Sequence, residues 1–321
     1  MSTPNLEFPV FEDIEPYTNT YVIMTNLNIN TANVYDRLPI TSYTIVPKKR
    51  GRKKKMDVPV TNVNIPSGSI ISVENRSNFR GVNVKQKEFS EKKFFRNSIT
   101  VVMVLENDKK INFKISTNGK FQMTGCKNEN QAFQCVQNIW NYIKDDKTNY
   151  TIKPRDLRHE TTPFEFLIVP VMSNIDFSVN FTIDRLKIDS YINTKTPFNS
   201  LLETSSGYTG VNASFPIRKN ILDTPINRYT YITDDANNTA SFTVQKVPYS
   251  EYFSLLKPAE RRKKEKILSK KVNTFLIFQS GSIICSGINA DIVRDSYYEF
   301  IDMIKVCYPE VVEILGTKME E

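Results

Sequence analysis

GKFQMTG (119–125) and GSIICSG (281–287) are the stretches whose reading decides the fold. Each opens on a turn glycine, alternates as a half-buried strand does, and closes on a second glycine; the two stand 162 residues apart. Each is followed by one helical pattern. Ala132, Val136, Ile139, Trp140 and Ile143 fall at i, i+4, i+7, i+8 and i+11, and Val293, Tyr297, Phe300, Ile301 and Ile304 repeat that spacing, the apolar stripe of an amphipathic helix. Upstream, SNFRGVN (77–83) echoes SGYTGVN (206–212), and TNLNI (25–29) echoes SNIDF (173–177). Paired segments in one order imply an internal duplication: two copies of a strand, hairpin and helix unit, related by a pseudo-two-fold.

The remainder of the chain fits that frame. With 321 residues, 40% apolar and 11% aromatic, it has the material for a substantial core. No stretch approaches the roughly 18 apolar residues of a membrane span, and the polar opening MSTPNLEFPVFED has no signal-peptide character, so a soluble intracellular protein is expected. Cys126, Cys135, Cys285 and Cys307 have no CxxC spacing and read as reduced, mostly buried thiols. The lone histidine, His159, sits between Arg158 and Glu160 in a polar stretch, and the sequence has no HExxH, GxSxG or P-loop. No catalytic residue, metal site or cofactor is expected.

Charge is unevenly spread. Of the net +8, Lys48, Lys49, Arg50, Arg52, Lys53, Lys54 and Lys55 supply +7 and residues 260–271 supply +5, which leaves the rest of the chain at −4. PKKRGRKKK reads as a nuclear-targeting or nucleic-acid-binding run, and its KRGRK centre resembles an AT-hook. AERRKKEKILSKK (259–271) is good helix-forming sequence with mixed charge. The intervals between paired motifs place both basic stretches in insertions. The expected organisation is an N-terminal tail (1–20), a first repeat (21–145) with a basic insertion at about 41–70, a linker (146–165), a second repeat (166–310) with an insertion at about 219–271, and a C-terminal tail (311–321). Within the second insertion RYTYI, the DDANN turn and SFTVQK read as an added hairpin.

VNTFLIFQSGSIICSGINADIVRDSYYEFIDMIK (272–305) resembles the strand, turn, strand and final helix of the TATA-box-binding protein family, and INFKISTNGKFQMTGCK (111–127) resembles the matching phrase of that family's first repeat. The divergence and insertions are most similar to the TATA-binding-protein-like transcription factors of nucleocytoplasmic large DNA viruses. The resemblance implies an α+β saddle: two pseudo-symmetric repeats forming one curved antiparallel β-sheet, with helices on the convex face and the concave face on the minor groove. It implies a monomeric transcription initiation factor that binds and bends A/T-rich double-stranded promoter DNA and recruits a TFIIB-like factor and RNA polymerase, with no membrane partner. Viral factories in the host cytoplasm, the virion or the host nucleus are the implied locations.

Carried over by position, the resemblance assigns groove-reading polar roles to Asn26, Asn174, Thr124 and Ser286, a wedge role to Phe278 and Tyr208, and floor positions to Asn28, Gln122 and Ile284. Lys120 is assigned to a phosphate. Ser116 stands where Phe278's counterpart would be, so the first repeat's wedge falls to Phe79 or Ile99. Gln122 and Asp176 replace apolar residues of the family, and Asp176 brings a carboxylate toward a phosphate-lined surface. Phe121, Met123, Ile283 and Cys285 alternate with the groove positions and are assigned to the helix-covered core. The competing reading keeps the fold as a protein-interaction or virion module without specific DNA binding.

Overall fold

A computed structural model describes residues 7–44, 65–82, 96–154, 162–202, 210–234 and 239–313. Its elements in chain order are β1 (Thr18–Thr25), β2 (Leu27–Ile29), α1 (Thr31–Arg37), β3 (Ser69–Asn75), β4 (Asn78–Gly81), β5 (Ser98–Leu105), β6 (Lys109–Ser116), β7 (Lys120–Cys126), α2 (Glu129–Ile143), β8 (Tyr150–Ile152) and β9 (Glu165–Ser178). There follow α3 (Arg185–Lys195), β10 (Asn199–Leu202), β11 (Gly210–Pro216), β12 (Pro225–Asp234), β13 (Thr239–Pro248), α4 (Ser250–Ser254), α5 (Pro258–Leu268), β14 (Val272–Phe278), β15 (Ser282–Gly287) and α6 (Ala290–Val311). The class is α+β. The chain groups into two compact units, the first made of Thr20–Val169 with Ile226–Val247, the second of Met1–Asn19, Pro170–Pro225 and Pro248–Glu321.

In the first unit the strands run in the order β1-β7-β6-β5-β3-β4, and β7 through β4 are antiparallel neighbours. In the second the order is β10-β11-β14-β15-β9, antiparallel throughout. Alternation sends one face of each sheet to its helices. Phe113, Ile115, Phe121 and Met123 are buried with Ala132, Val136, Ile139, Trp140 and Ile143 of α2. Phe275, Ile277, Ile283 and Cys285 are buried with Val293, Tyr297, Phe300, Ile301 and Ile304 of α6. Each fully buried Val, Leu, Ile or Phe stabilises the fold by about 1.5–3 kcal/mol. The two helical stripes and the four strand residues assigned to the core are thus placed as their periodicity requires. All four cysteines are free and buried, and burial pushes the Cys126 and Cys307 thiols up to about 12.

The duplication extends to local chemistry. Asn128 caps α2 by accepting from Gln131 N at 3.1 Å, and Asn289 caps α6 by accepting from Ile292 N at 2.9 Å. Gly119 and Gly281 close the two hairpin turns at φ +76° and +79°, and a Cβ on either would lie 2.2 Å from a backbone oxygen, of Leu27 and of Phe181 respectively. Both demands exclude a side chain. Gly281→Ala is expected to cost more than about 1 kcal/mol, read as a lower denaturant midpoint at unchanged slope; an unchanged midpoint would refute the steric account.

Several boundaries differ from the sequence reading. Part of the 146–165 linker is folded, since Leu27, Asn28 and Ile29 of β2 pair with Ile152, Thr151 and Tyr150 of β8. The N-terminal tail is not free: Phe11 is buried 5.2 Å from Tyr297, and Glu12 accepts from Arg294 at 2.5 Å and from Tyr298 at 2.8 Å. An aromatic anchor and a charged clamp close together in sequence tie this segment to α6. The likeness of SNFRGVN to SGYTGVN is not a structural equivalence. β4 is an additional edge strand paired to β3, whereas the strand in the place of β11, beside the hairpin that repeats, is β5. The hairpin expected in the second insertion is present as β12 and β13, but it packs in the first unit. Tyr229 stacks on Phe166 at 5.1 Å, and Phe242 meets Phe133 at 5.5 Å and Phe164 at 6.1 Å.

Candidate nucleic-acid interface

The sheet face opposite the helices is where the sequence-derived site residues were expected. In the second unit it carries Asn174, Asp176 and Ser178 of β9, Ser282, Ile284 and Ser286 of β15, Thr274, Leu276 and Phe278 of β14, and Asn212 and Ser214 of β11. Cross-strand register sets these in rows: Asn174 faces Ser286, which faces Thr274; Asp176 faces Ile284, which faces Leu276 and then Asn212. Leu201 of β10 extends the second row and is 64% exposed. The surface therefore mixes half-buried aliphatic side chains with hydroxyl and amide groups.

Within it, Ser286 Oγ donates to Asn174 Oδ1 at 2.9 Å. That bond uses the amide oxygen of Asn174 as acceptor. Phe278 ends β14 opposite Gly210, half-buried on the same face. The Leu276 side chain lies across Gly210, where a Cβ would approach its Cδ1 to 2.5 Å. Tyr208, the other wedge residue of the sequence reading, lies outside the described residues, as does the basic run Lys48, Lys49, Arg50, Arg52, Lys53, Lys54 and Lys55.

In the first unit Lys120, Gln122 and Thr124 occupy the open face of β7, with Gln122 and Thr124 exposed. Lys114 faces Gln122 and Asn112 faces Thr124. Ser116 sits across from Ser98, so this end of the sheet carries two hydroxyls where the second unit carries Phe278 beside Gly210. Ile99 is fully buried among the helix-side residues and is no wedge; Phe79 is half-buried on β4 opposite Glu74, at the outer edge. The two open faces consequently differ: polar with lysines in the first unit, aliphatic and aromatic with Asp176 in the second.

Two expected residues are elsewhere. Thr25 N donates to Gly119 O and Val179 N donates to Gly281 O, which makes Thr25 and Val179 equivalent; counting back along both strands puts Thr20, not Asn26, in the place of Asn174. Asn26 lies beyond β1 and clamps the backbone ahead of β9, donating to Pro163 O at 2.7 Å and accepting from Glu165 N at 2.9 Å. Asn28 is exposed on β2, off the main sheet. The likeness of TNLNI to SNIDF is thus six residues out of structural phase. The alternation of Tyr21 and Ile23, both buried, carries the correct phase.

One feature was not anticipated. Part of the first unit's open face is covered: Tyr43, Ile71, Val102 and Val104 form a second small core with Ile65 and Val82 against it. Tyr43 OH donates to the Asp108 carboxylate at 3.0 Å, and Lys110 Nζ reaches the same group at 2.9 Å. The signal lies in ITVVMVL (99–105), an apolar run without alternation, as a strand buried on both faces requires.

Among the described residues no helix is long and apolar enough to cross a membrane, and no cluster of three or more His, Cys, Asp or Glu is placed to hold a metal. No known protein-family profile matches the chain. It is 25% identical over 223 residues to uncharacterized protein 335L of Invertebrate iridescent virus 6, covering 68% of this chain and 61% of that protein. It is 28% identical over 219 residues to a TATA-box-binding protein-like protein of Acanthamoeba polyphaga mimivirus, covering 61% of this chain and 55% of that protein. The chain thus matches less than two thirds of the length of either relative. Methanococcus jannaschii TBP aligns over 93% of this chain and 99% of its own with a TM-score of 0.42 and 12% identity. The chain is thus similar to viral proteins, one of which is described as TATA-box-binding protein-like.

Proposed function

We propose that this protein is a DNA-binding transcription initiation factor that engages the minor groove of promoter DNA through the open faces of its sheets and bends the duplex. The observation that carries the reading is the second unit's open face, where Asn174 and Ser286 are hydrogen-bonded at 2.9 Å among Leu276, Ile284 and Phe278. The minor groove presents acceptors at every A·T pair and a narrow apolar wall of sugars. Amide and hydroxyl donors between aliphatic side chains match both. Phe278 supplies an apolar wedge, and the energy of unstacking is repaid by the contact area that a bend creates. In the first unit Lys114 and Lys120 suit phosphates, and Gln122 and Thr124 offer donors and acceptors. In this reading the protein acts as a monomer without catalytic activity, at viral factories or in the host nucleus, and recruits a TFIIB-like factor and RNA polymerase.

A second reading is favoured by Asp176 and by the covered part of the first unit's face, both unfavourable to a polyanion: a protein-interaction module whose only affinity for DNA comes from basic insertions. Gel shifts with A/T-rich and G/C-rich duplexes over a salt series separate the two. Groove binding predicts an A/T preference that persists as salt rises, and Asn174→Asp, which replaces donors by a carboxylate, lowers affinity at least about 10-fold. Binding that ignores base composition and vanishes on deletion of residues 48–55 would establish the second reading instead.

A further inference from the structure

Helix α5 has no buried residue. It touches the second unit along one line only, where Lys264 and Leu268 are half-buried, and Leu268 shares a shallow cleft with Ile217, Ile221 and Leu222. Both carboxylates of the segment are held away from the opposite side. Glu265 pairs with Arg261 at 2.9 Å, and Glu260 lies near enough to Tyr252 to reinforce the upward shift that burial imposes on that hydroxyl. At 100° per residue, Arg262, Lys263 and Lys266, with Lys270 in the turn that follows, share the outward side. Arg262 donates only to the Pro258 carbonyl, and among the described residues none of the four has a carboxylate partner. Like charges at i,i+3 and i,i+4 destabilise a helix by a few tenths of a kcal/mol each, a cost that an anionic partner reverses.

We propose that this outward stripe of α5, Arg262, Lys263, Lys266 and Lys270, is a docking surface for the phosphate backbone of double-stranded nucleic acid. The inference rests on the DNA-binding reading above and adds a second contact to it. From Arg262 to Lys270 the stripe spans about 12 Å at 1.5 Å per residue, enough to follow several phosphates of one strand. A lipid surface fits poorly, because an interfacial helix needs a broad apolar face, and the outward residues of α5 include one large apolar side chain, Ile267. In the chain α5 is followed by β14, the strand of Leu276 and Phe278.

The test is fluorescence anisotropy of the full chain on a labelled A/T-rich duplex, with KCl varied from about 50 to 200 mM. Changing all four residues to Gln, which leaves helix content and melting unchanged because the side chains are exposed, lowers the slope of log affinity against log salt by about 3–4. Changing Lys263, Lys266 and Lys270 to Arg keeps the wild-type slope, and Phe278→Ala weakens binding without altering it. A wild-type slope in the Gln variant, or a lost slope in the Arg variant, overturns the stripe and leaves groove binding standing. Wild-type protein that binds no duplex overturns both, and capture on phosphatidylserine vesicles abolished by the Gln changes would replace nucleic acid with lipid.

Discussion

Phe278→Ala is expected to weaken binding to an A/T-rich duplex by about 5- to 150-fold, the range that about 1–3 kcal/mol of lost stacking on a base implies. Phe278 is half-buried, closes β14 and faces Gly210 on the open side of the sheet. It takes no part in the core of Phe275, Ile277 and Tyr297, so truncation leaves stability nearly unchanged. The bend should fall with affinity, because a smaller side chain holds open no base step. Ser116→Ala, at the corresponding place in the first unit, is expected to change neither. Circular-permutation gel shifts report the bend and anisotropy reports the affinity. An alanine variant that binds and bends like the parent would remove the wedge from the mechanism.

Phe242→Ala is expected to destabilise the protein by about 2–3 kcal/mol, somewhat below the usual Phe→Ala range because the residue is only partly buried. Its ring meets Tyr231 at 5.1 Å, Phe133 at 5.5 Å, Phe166 at 5.6 Å and Phe164 at 6.1 Å. Each aromatic contact adds about 0.5–1.5 kcal/mol to the burial of area. The hairpin is also latched to α2, since Asn227 and Tyr229 donate to Glu129 Oε1 at 2.8 and 2.9 Å. The loss should therefore appear in α2 and β7, although Phe242 lies in the second repeat by sequence. Denaturant titration gives the magnitude, and hydrogen exchange of the α2 amides gives the location. Faster exchange confined to α6 and β15 would show that the hairpin supports the other unit.

The duplicated core was legible because both periods act on it at once. Strand alternation in FQM and IIC fixed which side chains lie under the helices, and the stripes Ala132 to Ile143 and Val293 to Ile304 fixed which helix faces cover them. The open-face positions of Gln122, Thr124, Ile284, Ser286 and Phe278 follow from that phase. Short identities outside the hairpins misled. Asn recurs often in this chain, and its recurrence at Asn26 and Asn174 conceals two roles: a backbone clamp around Pro163 and Glu165, and a residue on the sheet face bonded to Ser286. The Gly-Val-Asn shared by 81–83 and 210–212 pointed to an equivalence that strand pairing assigns to β5 and β11 instead. The cover over Val102 and Val104 depends on Tyr43 and Ile65, contacts distant in sequence that no local period encodes.

Each compact unit takes in chain from the opposite half of the sequence. The segment around Phe11 joins the unit of α6, and residues 226–247 join the unit of α2. A gene bisected between the repeats would therefore yield two incomplete fragments, one missing the aromatic lid on Trp140 and Phe166, the other missing the anchor on Tyr297. Co-expressed fragments should therefore fold only as a complementing pair.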